Sequence, residues 1–129
     1  MLAHNDIVAT IAVSDMAKAR NFYENQLGLK LEDTMGDGIT TYKAGDSRVF
    51  VYKSDRAGDS KATVATWAVE DHIEDMVSEL QQNGISFVHF DMRGVSRKGD
   101  IHVTENGMKA AWFKDPDGNI LCLVQTDLQ

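Results

Sequence analysis

The sequence predicts an α+β protein: a single domain, residues 1–129, in which one βαβββ module is used twice. Three observations predict it. Val13-Ser14-Asp15 returns 56 residues later as Val69-Glu70-Asp71, and Gly28-Leu29 returns at the same spacing as Gly84-Ile85. Lys43-x-x-Asp46 returns as Lys114-x-x-Asp117 at a spacing of 71. Each copy runs from a β-rich stretch through an amphipathic helical stretch that stops at glycine, then back to short β-rich stretches. Module one spans about 5–53 and module two about 62–126, with a polar linker at 54–61.

Residues 6–13 read as a strand, with Ile7, Val8, Ile11 and Val13 among small residues. Ser14 or Asp15 then caps a helix, because a short oxygen-bearing side chain satisfies the free amides of a first turn. Met16, Ala19, Phe22, Tyr23 and Leu27 recur at helical spacing and give one apolar face. Gly28 suits the position just past the helix. Strands follow at 29–35, 38–44 and 48–53, divided by Gly36-Asp37-Gly38 and Gly45-Asp46-Ser47. The second copy opens with a strand at 62–69. Asp71 then starts a helix with Ile73, Met76, Val77 and Leu80 on one face, Gly84 ends it, and 85–92 is a strand. An additional loop lies between Met92 and Met108.

The chain closes on Ala110-Ala111-Trp112-Phe113, a turn, and Ile120 to Val124. Asp115-Pro116-Asp117-Gly118 suits a type I turn: Asp bonds back to the backbone, Pro pre-sets φ, and Gly accepts the left-handed conformation. In this hairpin Asp115 pairs with Asn119 and Trp112 falls opposite Cys122.

The chain of 129 residues is long enough for a real core, and its 43% hydrophobic share is that of an ordinary globular protein. A formal charge of −7 argues against nucleic acid and anionic membrane surfaces as partners. With one cysteine there is no intrachain disulfide. The first residues lack the basic and apolar regions of a signal peptide, so the cytoplasm is the expected location.

The Trp112-Phe113-Lys114-Asp115-Pro116-Asp117-Gly118-Asn119 hairpin at the end of tandem βαβββ modules resembles the vicinal-oxygen-chelate superfamily. That group takes in glyoxalase I, bleomycin-resistance proteins and extradiol dioxygenases. The resemblance covers nearly the whole chain. It implies two curved mixed sheets forming an incomplete barrel with helices outside, a ligand cavity within, and a homodimer.

Metal-dependent members carry His or Glu at four cavity-facing positions, which hold a divalent ion. The resemblance carries those positions onto Val8, Val51, Val64 and Cys122. Three valines and one thiol do not make such a centre, so no metal or other cofactor is expected. His89, Asp91 and His102, with Glu105, are the residues from which an atypical site would have to be built, and no pair of them has ligand spacing. His4 and His72 read as surface residues.

Alternation from those four positions places Val8, Thr10, Val51, Val64, Thr66 and Cys122 against the ligand, with Trp112 beside Cys122 and Phe90 as a second aromatic wall. Phe50, Tyr52, Trp67, Leu121 and Leu123 take the opposite parity and read as core. The lining is apolar with a few hydroxyls, and suits a flat or hydrophobic small molecule. Cys122 has no base or cation beside it in the sequence and reads as an inert buried thiol. Arg93, Arg97 and Lys98 place positive charge in the additional loop, where it is either solvated or set to clamp an anion. Three functions follow. The first is a metal-free small-molecule-binding protein that sequesters a hydrophobic or aromatic ligand. The second is a lyase, isomerase or dioxygenase of the superfamily with an atypical metal site or none. The third is a partner-binding module with a vestigial cavity. No catalytic residue is assigned.

Overall fold

The computed structural model describes residues 1–36, 38–70 and 72–125. Asp37 of the first expected turn, Asp71 of the expected helix start and Thr126 at the end of module two lie outside the described residues. Strand β1 (Ala9–Val13) leads into helix α1 (Met16–Arg20), which runs on as a π-helical segment, Asn21–Gln26. Asp15 is the cap. Its carboxylate accepts the amides of Ala17 and Lys18 at 2.9 and 3.1 Å. Gly28 turns the chain at φ +77° into β2 (Lys30–Met35), β3 (Ile39–Ala44) and β4 (Ser47–Lys53). Module two repeats the plan with β5 (Thr63–Ala68), α2 (Ile73–Gln82) and β6 (Phe87–Val88). The first amide of α2 donates to the Gln125 side chain at 3.1 Å, so the last strand caps this helix.

Two expectations change here. The strand expected at 85–92 is only the two residues of β6. The additional loop is a hairpin, β7 (Val95–Lys98) and β8 (Ile101–Thr104), turning at Gly99 with φ +63°. It hid in the sequence because Ser96-Arg97-Lys98 is polar and the whole hairpin is an edge element. β9 (Lys109–Lys114) and β10 (Ile120–Gln125) form the closing hairpin in the expected register, with Trp112 opposite Cys122 and Asp115 bonded to Asn119.

Sheet one has the order β1-β4-β3-β2, and sheet two β5-β10-β9-β8-β7, with β6 also on β9. The repeat is therefore visible in topology: in both sheets the first strand of the module lies parallel to its last. The sheets are separate and do not close into a barrel. Among the described residues no helix is long and apolar enough to cross a membrane.

One face of each sheet shares a single core with the helices. Ile11, Val13, Tyr42, Val49 and Val51 meet Phe22 and Tyr23 of the first helix, and Leu121, Leu123 and Phe113 meet Ile73, Val77 and Leu80 of α2. Phe113 joins the modules, with its ring 6.3 Å from Phe22 and from Trp67 and 5.5 Å from Phe87.

The Asp115–Asn119 turn is a polar latch between the modules. Asp115, 5% exposed, accepts the Tyr23 hydroxyl at 2.7 Å, the Asn119 side-chain amide at 2.8 Å, and the backbone N–H groups of Asn119 and Asp117 at 2.9 and 3.0 Å. Asn119 also donates to the Ala12 carbonyl at 2.7 Å and accepts from the Gly58 amide at 3.3 Å. Asp117 accepts from the Ser14 amide and hydroxyl at 3.0 and 2.5 Å. Burial, then the Asp115 charge, pushes the Tyr23 phenol far above the ordinary tyrosine range.

Candidate functional site

Register fixes which side chains share the helix-free face of each sheet. On sheet one, Thr10, Phe50, Thr41 and Asp33 form one row, and Ala12, Tyr52, Ile39 and Met35 form the next. This face is open and carries an apolar patch beside the polar Thr10, Thr41 and Asp33: Phe50 is 39% exposed and Met35 64%. Val51 does not belong to it. Val51 pairs with Ile11 and Thr40, is fully buried, and packs under the first helix. The expected parity of β4 is thus reversed, and Phe50 and Tyr52 share the face of Thr10. The physical reason is that Val49-Phe50-Val51-Tyr52 is apolar on both faces, so alternation carried no sign there. Val8 lies just before β1 and is half-buried, as is Val64, which packs against the core.

Sheet two holds the aromatic group. Trp112 and Cys122 are paired, Cys122 is paired with Thr66, and Val88 with Trp112. The Trp112 indole N–H donates to the Thr63 hydroxyl at 3.2 Å. Trp112 is on β9 and Thr63 on β5, so the indole spans the intervening β10 and covers Cys122. Phe90 and His102 meet Trp112 edge-on, with centroids 5.4 and 4.8 Å away. The Phe90 amide donates to His102 Nε2 at 3.1 Å. With Nε2 accepting, the neutral ring carries its proton on Nδ1. Among the described residues that N–H has no partner, and the residue is 2% exposed. The sequence pattern pairs Trp112 with Phe90 but does not place His102 on the same face. Its registry with Ala110 in β8 does so.

The remaining candidates are used elsewhere. His89 Nε2 lies 2.5 Å from the Asp100 carboxylate, which also accepts from Gln81 of α2 at 2.5 Å. The Arg97 guanidinium sits 2.9 Å from His89 Nδ1 and donates to the Gly99 carbonyl. Asp91 is exposed and outside this group. A divalent ion does not fit the donors present. Of the four positions only Cys122 carries a donor, and burial pushes its thiol up to about 11. The outward residues of β4 are Phe50 and Tyr52, and His102 Nε2 is committed to an amide. Among the described residues no three or more His, Cys, Asp or Glu side chains gather in a metal-binding group.

The thiol has a measurable consequence. A thiol raised to about 11 presents about a hundredfold less thiolate at pH 8 than one at its ordinary value, before any steric protection by Trp112. Labelling of Cys122 by a disulfide reagent should therefore be at least that much slower in the folded protein than in urea. Comparable rates would mean that the indole does not cover it.

The model of the Glyoxalase/Bleomycin resistance protein/Dioxygenase superfamily matches residues 5–123. No curated protein matches the sequence. Among solved structures, a lactoylglutathione lyase from Agrobacterium tumefaciens superposes with TM-score 0.74 at 14% identity, over 97% of this chain and 96% of that one. A glyoxalase/bleomycin resistance protein/dioxygenase from Alicyclobacillus acidocaldarius gives 0.71 at 21% identity, over 95% and 92%. A genomically encoded fosfomycin resistance protein from Listeria monocytogenes gives 0.67 at 14% identity, over 97% and 93%. At these identities the likeness is one of fold. With the module order repeated in both sheets and the family match spanning nearly all of both modules, this chain belongs to the glyoxalase/bleomycin resistance protein/dioxygenase superfamily.

Proposed function

We propose that the protein is a metal-free small-molecule-binding member of this superfamily, cytoplasmic and homodimeric, which sequesters a hydrophobic or aromatic ligand. The observation that carries the reading is the Trp112, Phe90 and His102 group on a helix-free sheet face, beside the small residues Ala110 and Thr66. Aromatic edges leave room for a flat guest, and the small side chains admit it. Val8, Thr10 and Thr66 border the ligand, with Thr10 and Thr66 supplying hydroxyls, whereas Val64 packs against the core and Cys122 lies beneath the indole. Phe50 and Tyr52 take the role first expected of Val51. The exposed apolar face of sheet one supports dimerisation, because a second copy would cover Phe50, Ile39 and Met35 and enclose the ligand.

An enzymatic reading of the lyase or isomerase type has one observation in its favour: the unpartnered His102 N–H beside Trp112, a group able to hold or move a proton. His102→Gln separates the two readings. A binding protein keeps its affinity for the guest within severalfold, whereas an enzyme loses turnover of any substrate found.

The direct test is quenching of tryptophan fluorescence by a panel of planar aromatic compounds, run alongside sedimentation equilibrium. Trp112→Phe should weaken the best ligand about fivefold, since an aromatic contact is worth about 1 kcal/mol beyond area burial. Unchanged affinity in Trp112→Phe, or a monomer at all concentrations that still binds, would remove this site from consideration.

A further inference from the structure

The face of sheet one that carries the apolar patch also carries a row of positive charge. Lys30, Lys43 and Arg48 are successive cross-strand partners on β2, β3 and β4. Tyr42 and Val49, their neighbours in sequence, pair with each other and are buried in the core. Alternation therefore turns all three cations to the open side.

Like charges directly opposite on neighbouring strands repel. Two such pairs stand side by side here, in a chain whose formal charge is −7. Glu32 offsets one cation: its carboxylate reaches from β2 over β3 and meets Arg48 at 2.7 Å. Asp33, in the next row, accepts the Thr34 amide at 2.8 Å. Among the described residues Lys30 and Lys43 have no ion pair or side-chain hydrogen bond. An anion placed between them reverses the cost of their juxtaposition. Beyond the charged row the face turns apolar. Phe50 follows Arg48 on the same side of β4, and Tyr52, Ile39 and Met35 form the row after it. Two residues along a strand span about 7 Å, so ring and charge fall within the length of one bicyclic molecule.

We propose that the ligand of this face is a small amphipathic anion: a flat apolar body carrying one acidic group. The body lies over Phe50 and Tyr52, and the acid meets Lys30 and Lys43. This rests on the proposed binding function and adds the ligand's charge. Flexible four-carbon stems let both ammonium groups reach one head group. A second copy that covers the apolar rows withdraws water from the lysines and raises the gain from pairing them. The charge selects against a neutral or cationic guest of the same shape.

8-Anilinonaphthalene-1-sulfonate and N-phenyl-1-naphthylamine test this in the full-length protein, because they share one body and differ by the sulfonate. Each reports through its own emission. Lys30→Gln/Lys43→Gln should lower the ratio of sulfonate to amine affinity about fivefold, the worth of two exposed charge contacts. Lys18→Gln/Lys61→Gln removes the same charge from exposed positions in α1 and the linker, and should leave that ratio unchanged. Added salt should weaken the sulfonate relative to the amine. Phe50→Ala should weaken both probes severalfold. An unchanged ratio in Lys30→Gln/Lys43→Gln, an equal fall in both double variants, or salt independence overturns the proposal and leaves the binding function standing. So does binding that ignores Phe50→Ala, which would put the probes elsewhere. Dimers that come apart in step with sulfonate binding also overturn it, by making the face a contact between copies alone. Binding of neither probe removes the binding function and the proposal with it. The Trp112→Phe result decides none of these, because Trp112 is on sheet two.

Discussion

Asp115→Ala should destabilise the protein by about 3–5 kcal/mol, the cost of leaving buried donors without their charged acceptor. Four donors converge on that carboxylate: the Tyr23 hydroxyl, the Asn119 side chain, and the amides of Asp117 and Asn119. Among the described residues, only the Asn119 side chain has a second acceptor, at Ala12. The Tyr23 hydroxyl and the Asn119 amide bond to the carboxylate in buried surroundings, where water does not readily replace the lost acceptor. The loss is a large fraction of an ordinary domain's stability, and a fall in Tm of about 10–20 °C is expected. Asp115→Asn keeps one acceptor oxygen but turns an N–H toward other donors, so its loss should be nearly as large. Tyr23→Phe removes a single donor and should cost about 1–2 kcal/mol. Urea denaturation of the three variants measures this order, and a cost below about 1 kcal/mol for Asp115→Ala would show that the latch is decorative. Tyr23 adds an alkaline signature. Its folded phenol titrates above the unfolded one, so its contribution is whole below about pH 10 and is lost as pH rises further. Tyr23→Phe should flatten that alkaline slope.

The parts of the fold that are legible in sequence are those governed by local chemistry. The Asp-Pro-Asp-Gly-Asn turn fixes its own conformation, and the turn fixes the β9–β10 register, so local chemistry alone sets Trp112 opposite Cys122. The helices are legible because Ala19, Phe22 and Tyr23, and Ile73, Val77 and Leu80, mark the buried face at helical spacing. Long-range pairing and faces without a polar side are not. Both faces of β4 are apolar, one for the core and one left open, and nothing local says which is which. β7 carries charges, and the two strands gain their character from pairing with each other and, for β8, with β9. Of the candidate site, the Trp112, Phe90 and Cys122 group is legible, and His102 is not. Its place depends on the registry of a hairpin that the sequence presents as a loop. The role of the turn is half legible: it is a plain hairpin signal, but its grip on Ala12, Ser14 and Tyr23 is a tertiary fact.

Gly58→Ala should cost about 3 kcal/mol although the residue sits in a polar surface linker. Two separate effects contribute. Gly58 holds φ +76°, a left-handed conformation that costs an L-residue about 1 kcal/mol. In addition, a Cβ there would stand 2.1 Å from the Asp117 carbonyl oxygen. That oxygen is backbone, inside the latch turn, and cannot rotate away. The linker or the turn must move, and moving either loosens the Gly58 amide from Asn119. Gly45→Ala is the control. It has φ +58° with nothing within 4 Å of the added carbon, so only the conformational cost of about 1 kcal/mol applies. The difference between the two variants isolates the close approach of linker to latch. If both cost the same, the linker is not held against the turn in solution. If Gly58→Ala costs about 2 kcal/mol more, the linker is part of the joint that pins the modules at one end.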